Sequence, residues 1–302
     1  MAPRQLWLAS IAGAAVMMGG AAGCGTLTAQ AASTSHISHR AASTHHTAKP
    51  AAAHKIHPGF TPLPKASPAR PLKVMVIGDS LGEDLQYGLA DIVGSSSSVD
   101  LIQEAYGSSG LVNLAYHNWP VIFEALLRQY HPQLVYVEFG ANDSYSYYQN
   151  GRYVPFGSVL WRKDYGGRVN QILNEAVRAH AHVIWVGLPI MSGTSVLSNV
   201  KMQQMNALFA SEVRRHPAMA AFVPLWKLFQ NRQGQFTEYM TDSAGTSVMV
   251  RDPDGVHIAP PAGQELMASY VLYRTEQLGK TSLCVNGSDL WTQYPLHACP
   301  AK

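Results

Sequence analysis

One stretch, Val74-Met-Val-Ile-Gly-Asp-Ser80-Leu-Gly82, constrains the fold more than any other part of the chain. A run dominated by apolar residues, Leu72 to Ile77, stops at Gly78 and gives way to a helical pattern from about Gly82 to Val93. The pattern reads as a buried strand, a tight turn and a helix. Ser80 falls at the turn, where the first N–H groups of a helix point outward without partners. A serine there serves either as an N-cap or as a nucleophile.

The same alternation recurs along the chain. Strands are expected over Val99–Ala105, Leu134–Phe139, His182–Leu188 and Ala220–Leu225. Helices are expected from Trp119-Pro120 to Tyr130, from Asp164 to His180, from Ser198 to Arg215 and from about Ala262 to Leu278. Pro120 suits the first turn of its helix, where a missing N–H costs nothing. Strands alternating with helices argue for βαβ units, hence an α/β fold with a parallel sheet covered on both faces. In such sheets ligands bind at the carboxyl ends of the strands. Gly78-Asp-Ser80, Gly107-Ser-Ser-Gly110 and Gly140-Ala-Asn142-Asp143 each follow an apolar strand, so all three turns are expected at one edge.

The ends of the chain have a different character. Arg4 followed by the short apolar core Leu6–Gly20 reads as an export signal. Ala21-Ala-Gly-Cys24 resembles a bacterial lipobox that would leave Cys24 lipidated, whereas Ala29-Gln-Ala31 fits ordinary signal-peptidase cleavage. The early position of the cysteine favours the first, making 1–24 a signal peptide of lipoprotein type and a lipid on Cys24 the only membrane contact. Residues 25–70, rich in Ala, Ser, Thr, His and Pro, read as a disordered linker. It is either a plain spacer or, through its histidines, a tether that gains positive charge near pH ~6.5. Residues 1–78 hold seven basic residues and no acidic ones, so the rest carries 15 basic against 19 acidic. The basic net charge therefore belongs to the tail, and the body has no nucleic-acid signature. Residues 71–280 form the expected domain and 281–302 a C-terminal tail. There Cys284 and Cys299 are placed to form a disulfide in an oxidising compartment, worth ~3 kcal/mol by loop closure.

The chemistry rests on a few side chains. A serine hydroxyl needs a base to take its proton. His257 is the candidate, and Asp254, three residues earlier, can reach its Nδ1–H, fix the tautomer and stabilise the imidazolium. Donors for an oxyanion are the N–H of Ser80, an N–H at Gly110 (Gly107 as the alternative) and the side-chain amide of Asn142. Asp79 is expected to support its turn and Asp143 to hold the Asn142 loop. Trp119 is read as packing and Arg251 as the partner of a carboxylate near Asp254. Tyr145 and Tyr147, in a tyrosine-rich loop, are candidates for carbohydrate contact or for a cover over the sheet edge. No metal cluster is evident and no cofactor is expected.

Taken together, Gly78-Asp79-Ser80-Leu81, Gly107-Ser-Ser-Gly110, Gly140-Ala-Asn142-Asp143 and Asp254-Gly-Val-His257 resemble the four ordered blocks of the SGNH (GDSL-type) hydrolase superfamily. Trp119-Pro120, Gly187-Leu-Pro189-Ile-Met191 and Arg251 are similar to a bacterial cell-envelope branch of it. Leu111 stands where the second block more often has Asp. The resemblance implies a flavodoxin-like three-layer α/β/α fold with about five parallel strands and acyl-ester chemistry through an acyl-enzyme. Together with the export signal, which places the body on the periplasmic or extracellular face of the envelope, it points to an acylated carbohydrate or other small ester as substrate. Transfer of the acyl group to an envelope polysaccharide and a non-catalytic polymer-binding scaffold are the alternatives.

Overall fold

The computed structural model describes residues 59–94, 97–195, 197–285 and 289–299. The expected signal peptide and most of the expected linker lie outside the described residues. Five parallel strands form the central sheet: β1 (Leu72–Gly78), β2 (Val99–Gln103), β3 (Leu134–Glu138), β4 (His182–Val186) and β5 (Ala220–Val223), in the order β2-β1-β3-β4-β5. The central strands read as apolar runs because both of their faces are covered. Val74, Met75, Val76 and Ile77 of β1 are fully buried, as is every residue of β3. Each such aliphatic side chain is worth roughly 1.5–3 kcal/mol of burial.

Five helices cover the sheet: α1 (Ser80–Ile92), α2 (Trp119–Tyr130), α3 (Val159–Arg178), α4 (Asn199–Val213) and α5 (Ala262–Gly279). α1 packs on α5, and α2, α3 and α4 pack side by side. With right-handed crossovers this places two helices on one face and three on the other. The strand order is that of flavodoxin-like sheets, which reverse direction between β1 and β3. The expected three-layer α/β/α architecture is therefore the observed one. The α1–α5 contact depends on Gly88: a Cβ there would lie 2.1 Å from the backbone oxygen of Gln264.

Four local details differ from the sequence expectation. α1 begins at Ser80 because Asp79, and not Ser80, is the N-cap: its Oδ1 accepts the N–H of Leu81 at 3.0 Å. α3 begins at Val159 instead of Asp164, because the Ser158 hydroxyl caps the N–H of Trp161 at 3.1 Å. The tyrosine-rich loop is a two-stranded hairpin, Tyr147–Gln149 with Arg152–Val154, turning at Asn150 (φ 51°) and Gly151 (φ 75°). An Asn-Gly pair adopting left-handed backbone at both positions is the signature of that turn. Residues 59–66, expected as the end of the linker, run over the domain. The N–H of Thr61 donates to Ala218, that of Leu63 donates to Gly279, and Leu63 is buried.

The C-terminal tail also belongs to the packed body. Cys284 and Cys299 are joined by a disulfide. Trp291 is buried and donates its Nε1–H to the carbonyl of Ala262, at the start of α5.

Candidate active site

The turns after β1, β2 and β3 emerge at one edge of the sheet, and the loop Arg251–Ile258 before α5 closes over it. This brings together residues 177 positions apart: His257 Nε2 lies 3.0 Å from Ser80 Oγ. On the other side of the ring, His257 Nδ1 lies 2.5 Å from Asp254 Oδ2. With the ring proton on Nδ1, the imidazole donates to Asp254 and accepts from the Ser80 hydroxyl. That arrangement can draw a proton from serine and hand it to a leaving group.

The histidine loop is built around Asp254. Its Oδ1 accepts the N–H groups of Val256 (2.7 Å) and His257 (3.0 Å), leaving Oδ2 for the ring. Gly255 turns the chain with φ 74°, and a Cβ there would lie 2.3 Å from Cβ of Ser192. The pair is half-exposed to solvent. Burial opposes charge on His257, but the Asp254 carboxylate, with Asp84 and Asp252 farther off, outweighs it and raises the imidazole pKa above its ordinary value. Partial burial would raise Asp254, yet bonds from the His257 ring and from the two N–H groups prevail and lower it.

Arg251 is the frame of this loop. It is fully buried and donates to three backbone carbonyls, of Ile190 (2.5 Å), Val256 (2.8 Å) and His257 (3.2 Å). Its guanidinium also lies over the rings of Phe229 and Phe236, at 5.2 and 4.9 Å. Burial lowers its pKa to about 10, so it remains a cation at neutral pH. The expected carboxylate partner is thus replaced by carbonyls and aromatic faces. The Ile190 carbonyl is positioned in turn by two asparagines of α4. Asn206 bonds both backbone groups of Leu188, and Asn199 both of Met191, at 2.8–2.9 Å.

The opposite wall is organised by buried carboxyl groups. Asp79 joins two turns, accepting Leu81 N–H with Oδ1 and Gly140 N–H with Oδ2 at 3.1 Å. Asp143 accepts the N–H groups of Leu111 and Val112, both at 2.8 Å, and the Tyr165 hydroxyl at 2.7 Å. It sits beneath Gly110, where a Cβ would meet Asp143 Oδ1 at 2.3 Å. The Asn142 amide donates to the carbonyl of Ser109 at 3.0 Å, so Asn142 and Gly110 border one another. Gly107 instead lies against the Glu83 side chain of α1. Among the described residues, no hydrogen-bond acceptor meets the N–H of Ser80 or Gly110. Trp119 is fully buried and bonds Ser109 Oγ, as packing requires.

Tyr145 is exposed, while Tyr147 is half-buried with its ring under the Arg168 guanidinium at 5.4 Å. Neither contacts Ser80 or His257 through a hydrogen bond. Two functional neighbours escape the sequence reading. Asp84, one turn after Ser80, accepts the N–H of Ile258 at 3.0 Å and the Gln264 amide at 2.9 Å, fixing the histidine loop to α1. Burial raises its pKa to about 6. Glu138, at the end of β3, is fully buried beside Asp79. Acidic residues in otherwise buried stretches are the signal available for both. Among the described residues no group of three or more His, Cys, Asp or Glu side chains could hold a metal ion.

No curated protein matches the sequence. Among solved structures, the chain is similar to an alpha/beta hydrolase enzyme from the metagenome of Lake Arreo, Spain. That match has 14% identity and a TM-score of 0.48, and covers 69% of this chain and 97% of the other. It is also similar to a catalytic mutant of an acetylxylan esterase from Geobacillus stearothermophilus, with 13% identity and a TM-score of 0.46, covering 67% of this chain and 93% of the other. Residues 73–274 match the family described as Protein of unknown function (DUF459), and they run from the second residue of β1 through most of α5 and hold every residue of the site above. The chain belongs to the DUF459 family.

Proposed function

We propose that the protein is an exported serine esterase acting through an acyl-enzyme, and that it removes small O-acyl groups such as acetyl from a cell-envelope glycan. One observation carries the reading: the continuous Ser80–His257–Asp254 chain of contacts at 3.0 and 2.5 Å. His257 takes the Ser80 proton as Oγ attacks the ester carbonyl. The oxyanion is received by the N–H groups of Ser80 and Gly110 and by the Asn142 amide, each such donor typically worth ~3 kcal/mol of barrier. His257 then protonates the leaving alcohol, and water resolves the acyl-enzyme with His257 again as base. Asp254 stays ionised throughout and keeps the ring in the productive tautomer. The Asn142 amide beside Gly110, with Gly107 turned against the Glu83 side chain, supports this assignment over Gly107.

Export is supported by the N-terminal sequence, with Cys24 as the lipid attachment point on the periplasmic or extracellular face. The tyrosines at 145 and 147 support a sugar-bearing substrate, since aromatic faces pack on pyranose rings. Hydrolysis of 4-nitrophenyl acetate, butyrate and octanoate, with Ser80→Ala alongside, tests the reading. Turnover of acetate should exceed that of octanoate and fall at least ~10³-fold in the variant. Turnover equal to that of Ser80→Ala on every ester would overturn it.

A further inference from the structure

Beneath the nucleophile lie two carboxyl groups that share an environment no pair of anions tolerates. Glu138 ends β3, and Asp79 follows β1, its neighbour in the sheet. The two backbones are joined by the Asp79 N–H bonding the Glu138 carbonyl at 3.0 Å. Both side chains are fully buried and adjacent, each acting on the other's protonation. Their hydrogen-bond supplies differ. Asp79 accepts two N–H groups, from Leu81 and Gly140. Among the described residues no N–H or O–H donor meets either oxygen of Glu138. No cation forms an ion pair with either group among the described residues.

The surrounding charges do not relieve this. Asp84 faces Glu138 from α1, and Asp143 faces both carboxyls from the turn after β3. Tyr165 and Arg168 of α3 face Asp143; the hydroxyl bonds its carboxylate, while the guanidinium donates to the carbonyls of Leu111 and Val112. His257 lies near Asp84. An isolated buried carboxylate costs far more than protonation, and two carboxylates sharing a site hold one proton between them. The N–H donors decide where it resides: they favour charge on Asp79 and leave the proton to Glu138. Burial and the Asp79 charge act in the same direction, raising the Glu138 carboxyl well above its ordinary range.

We infer that Glu138 is a positioning residue that stays protonated at neutral pH and donates its O–H to the Asp79 carboxylate, so that one shared proton locks the Ser80 turn to the Asn142 turn. The bond Glu138 O–H···Asp79 completes the acceptor set of Asp79, whose other oxygen sites hold Leu81 on one turn and Gly140 on the other. The same proton removes one negative charge from below the N–H groups assigned to the oxyanion. This catalytic consequence rests on the esterase reading; the protonation itself does not.

Infrared spectroscopy of the purified protein at pH 8 tests it directly. Solvent-exposed carboxyls are ionised there, so the inference expects a protonated-carboxyl C=O band. The band should vanish in Glu138→Gln, whose amide replaces the donor. It should persist in Asp79→Asn, because burial, the larger cause, still keeps Glu138 neutral. Absence of the band in the wild type, or its persistence in Glu138→Gln, would overturn the inference. Stability gives a second reading that needs no activity. The native state holds a proton that the unfolded chain releases near pH ~4.5. The folding equilibrium of the wild type relative to Glu138→Gln should therefore fall about tenfold per pH unit above that value. A ratio constant with pH would overturn the inference as well. In turnover, Glu138→Gln should keep the rate that Glu138→Ala loses. If no ester is hydrolysed by any form, the esterase reading falls while the band and the stability slope still decide this one.

Discussion

The two walls of the site are held by opposite charges. On the nucleophile side, buried carboxyl groups gather backbone N–H groups: Asp79 takes Leu81 and Gly140, and Asp143 takes Leu111 and Val112. On the base side a buried guanidinium gathers backbone carbonyls, those of Ile190, Val256 and His257. The difference follows from what each wall presents. A wall that must stabilise a developing oxyanion has to turn N–H groups outward, and acceptors beneath it hold the neighbouring amides in place. A loop that must hold a histidine folds its carbonyls inward, and a single planar cation satisfies three of them at once. The walls also differ in solvation, since Asp79, Asp143 and Arg251 are buried whereas Asp254 and His257 meet water. The reacting groups are thus open to substrate, and the groups that place them are not.

The sharpest way to break this picture is at the exposed pair. Asp254→Asn keeps an oxygen for the Val256 and His257 N–H groups but presents the wrong partner to Nδ1. Turnover of 4-nitrophenyl acetate should fall roughly 10⁴-fold, as loss of the correct tautomer does in such triads. The pH profile carries the sign. His257 must be neutral to act as base, and Asp254 raises its pKa above 6.5, so activity in the wild type declines as pH falls through a value above 6.5. In the variant that acid limb should move to lower pH. An unmoved limb would assign the titration to a different group.

The buried frames come next. Arg251→Met strands three carbonyls inside the protein, each unsatisfied group costing ~1–3 kcal/mol. We expect a large drop in Tm and a loss of roughly 10²-fold or more in kcat/KM through misplaced His257. Arg251→Lys should recover little, because one ammonium cannot span three carbonyls and two aromatic faces. If Arg251→Lys kept full activity, a point charge would suffice and the carbonyl-gathering account would fail. Asp143→Asn should be milder. One oxygen still accepts, but an NH₂ group meets a backbone N–H, with an expected cost of about 2 kcal/mol and a smaller kinetic loss through the Gly110 loop.

What can be read from the sequence follows the same division. The strands and helices are legible because burial on both faces leaves unbroken apolar runs, and Ser80, Asn142, Asp254 and His257 because each sits in a turn directly after or before such an element. Arg251 misleads, since a cation satisfied by carbonyls leaves no mark in sequence, whereas a nearby Asp invites an ion pair. Glu138 is hidden within an apolar strand. Its one mark is an acid in an otherwise apolar run, which does not say that the group shares a proton. The helix starts are displaced by single caps, Asp79 and Ser158, whose side chains outweigh the periodicity that follows. The Asn150-Gly151 hairpin turn, by contrast, is written in the chain and needs only the turn rule.

The smallest effect is expected at that hairpin. Tyr148 and Tyr153 face each other across it, with ring centroids 5.2 Å apart, and both are exposed. A pair of this kind contributes ~0.5–1.5 kcal/mol when well packed, and less when water reaches both rings. Tyr148→Ala should therefore leave Tm nearly unchanged. Hydrolysis of 4-nitrophenyl acetate should also be unaffected, since the acyl group reacts at Ser80 and the hairpin bonds neither Ser80 nor His257. On an acetylated polysaccharide the two roles separate. A hairpin that supports sugar rings predicts a raised KM with kcat preserved, because a binding contact equal in ground and transition states changes KM alone. A hairpin that merely covers the sheet edge predicts no change on either substrate, and would shift the search for the glycan contact to Tyr145 and Tyr147.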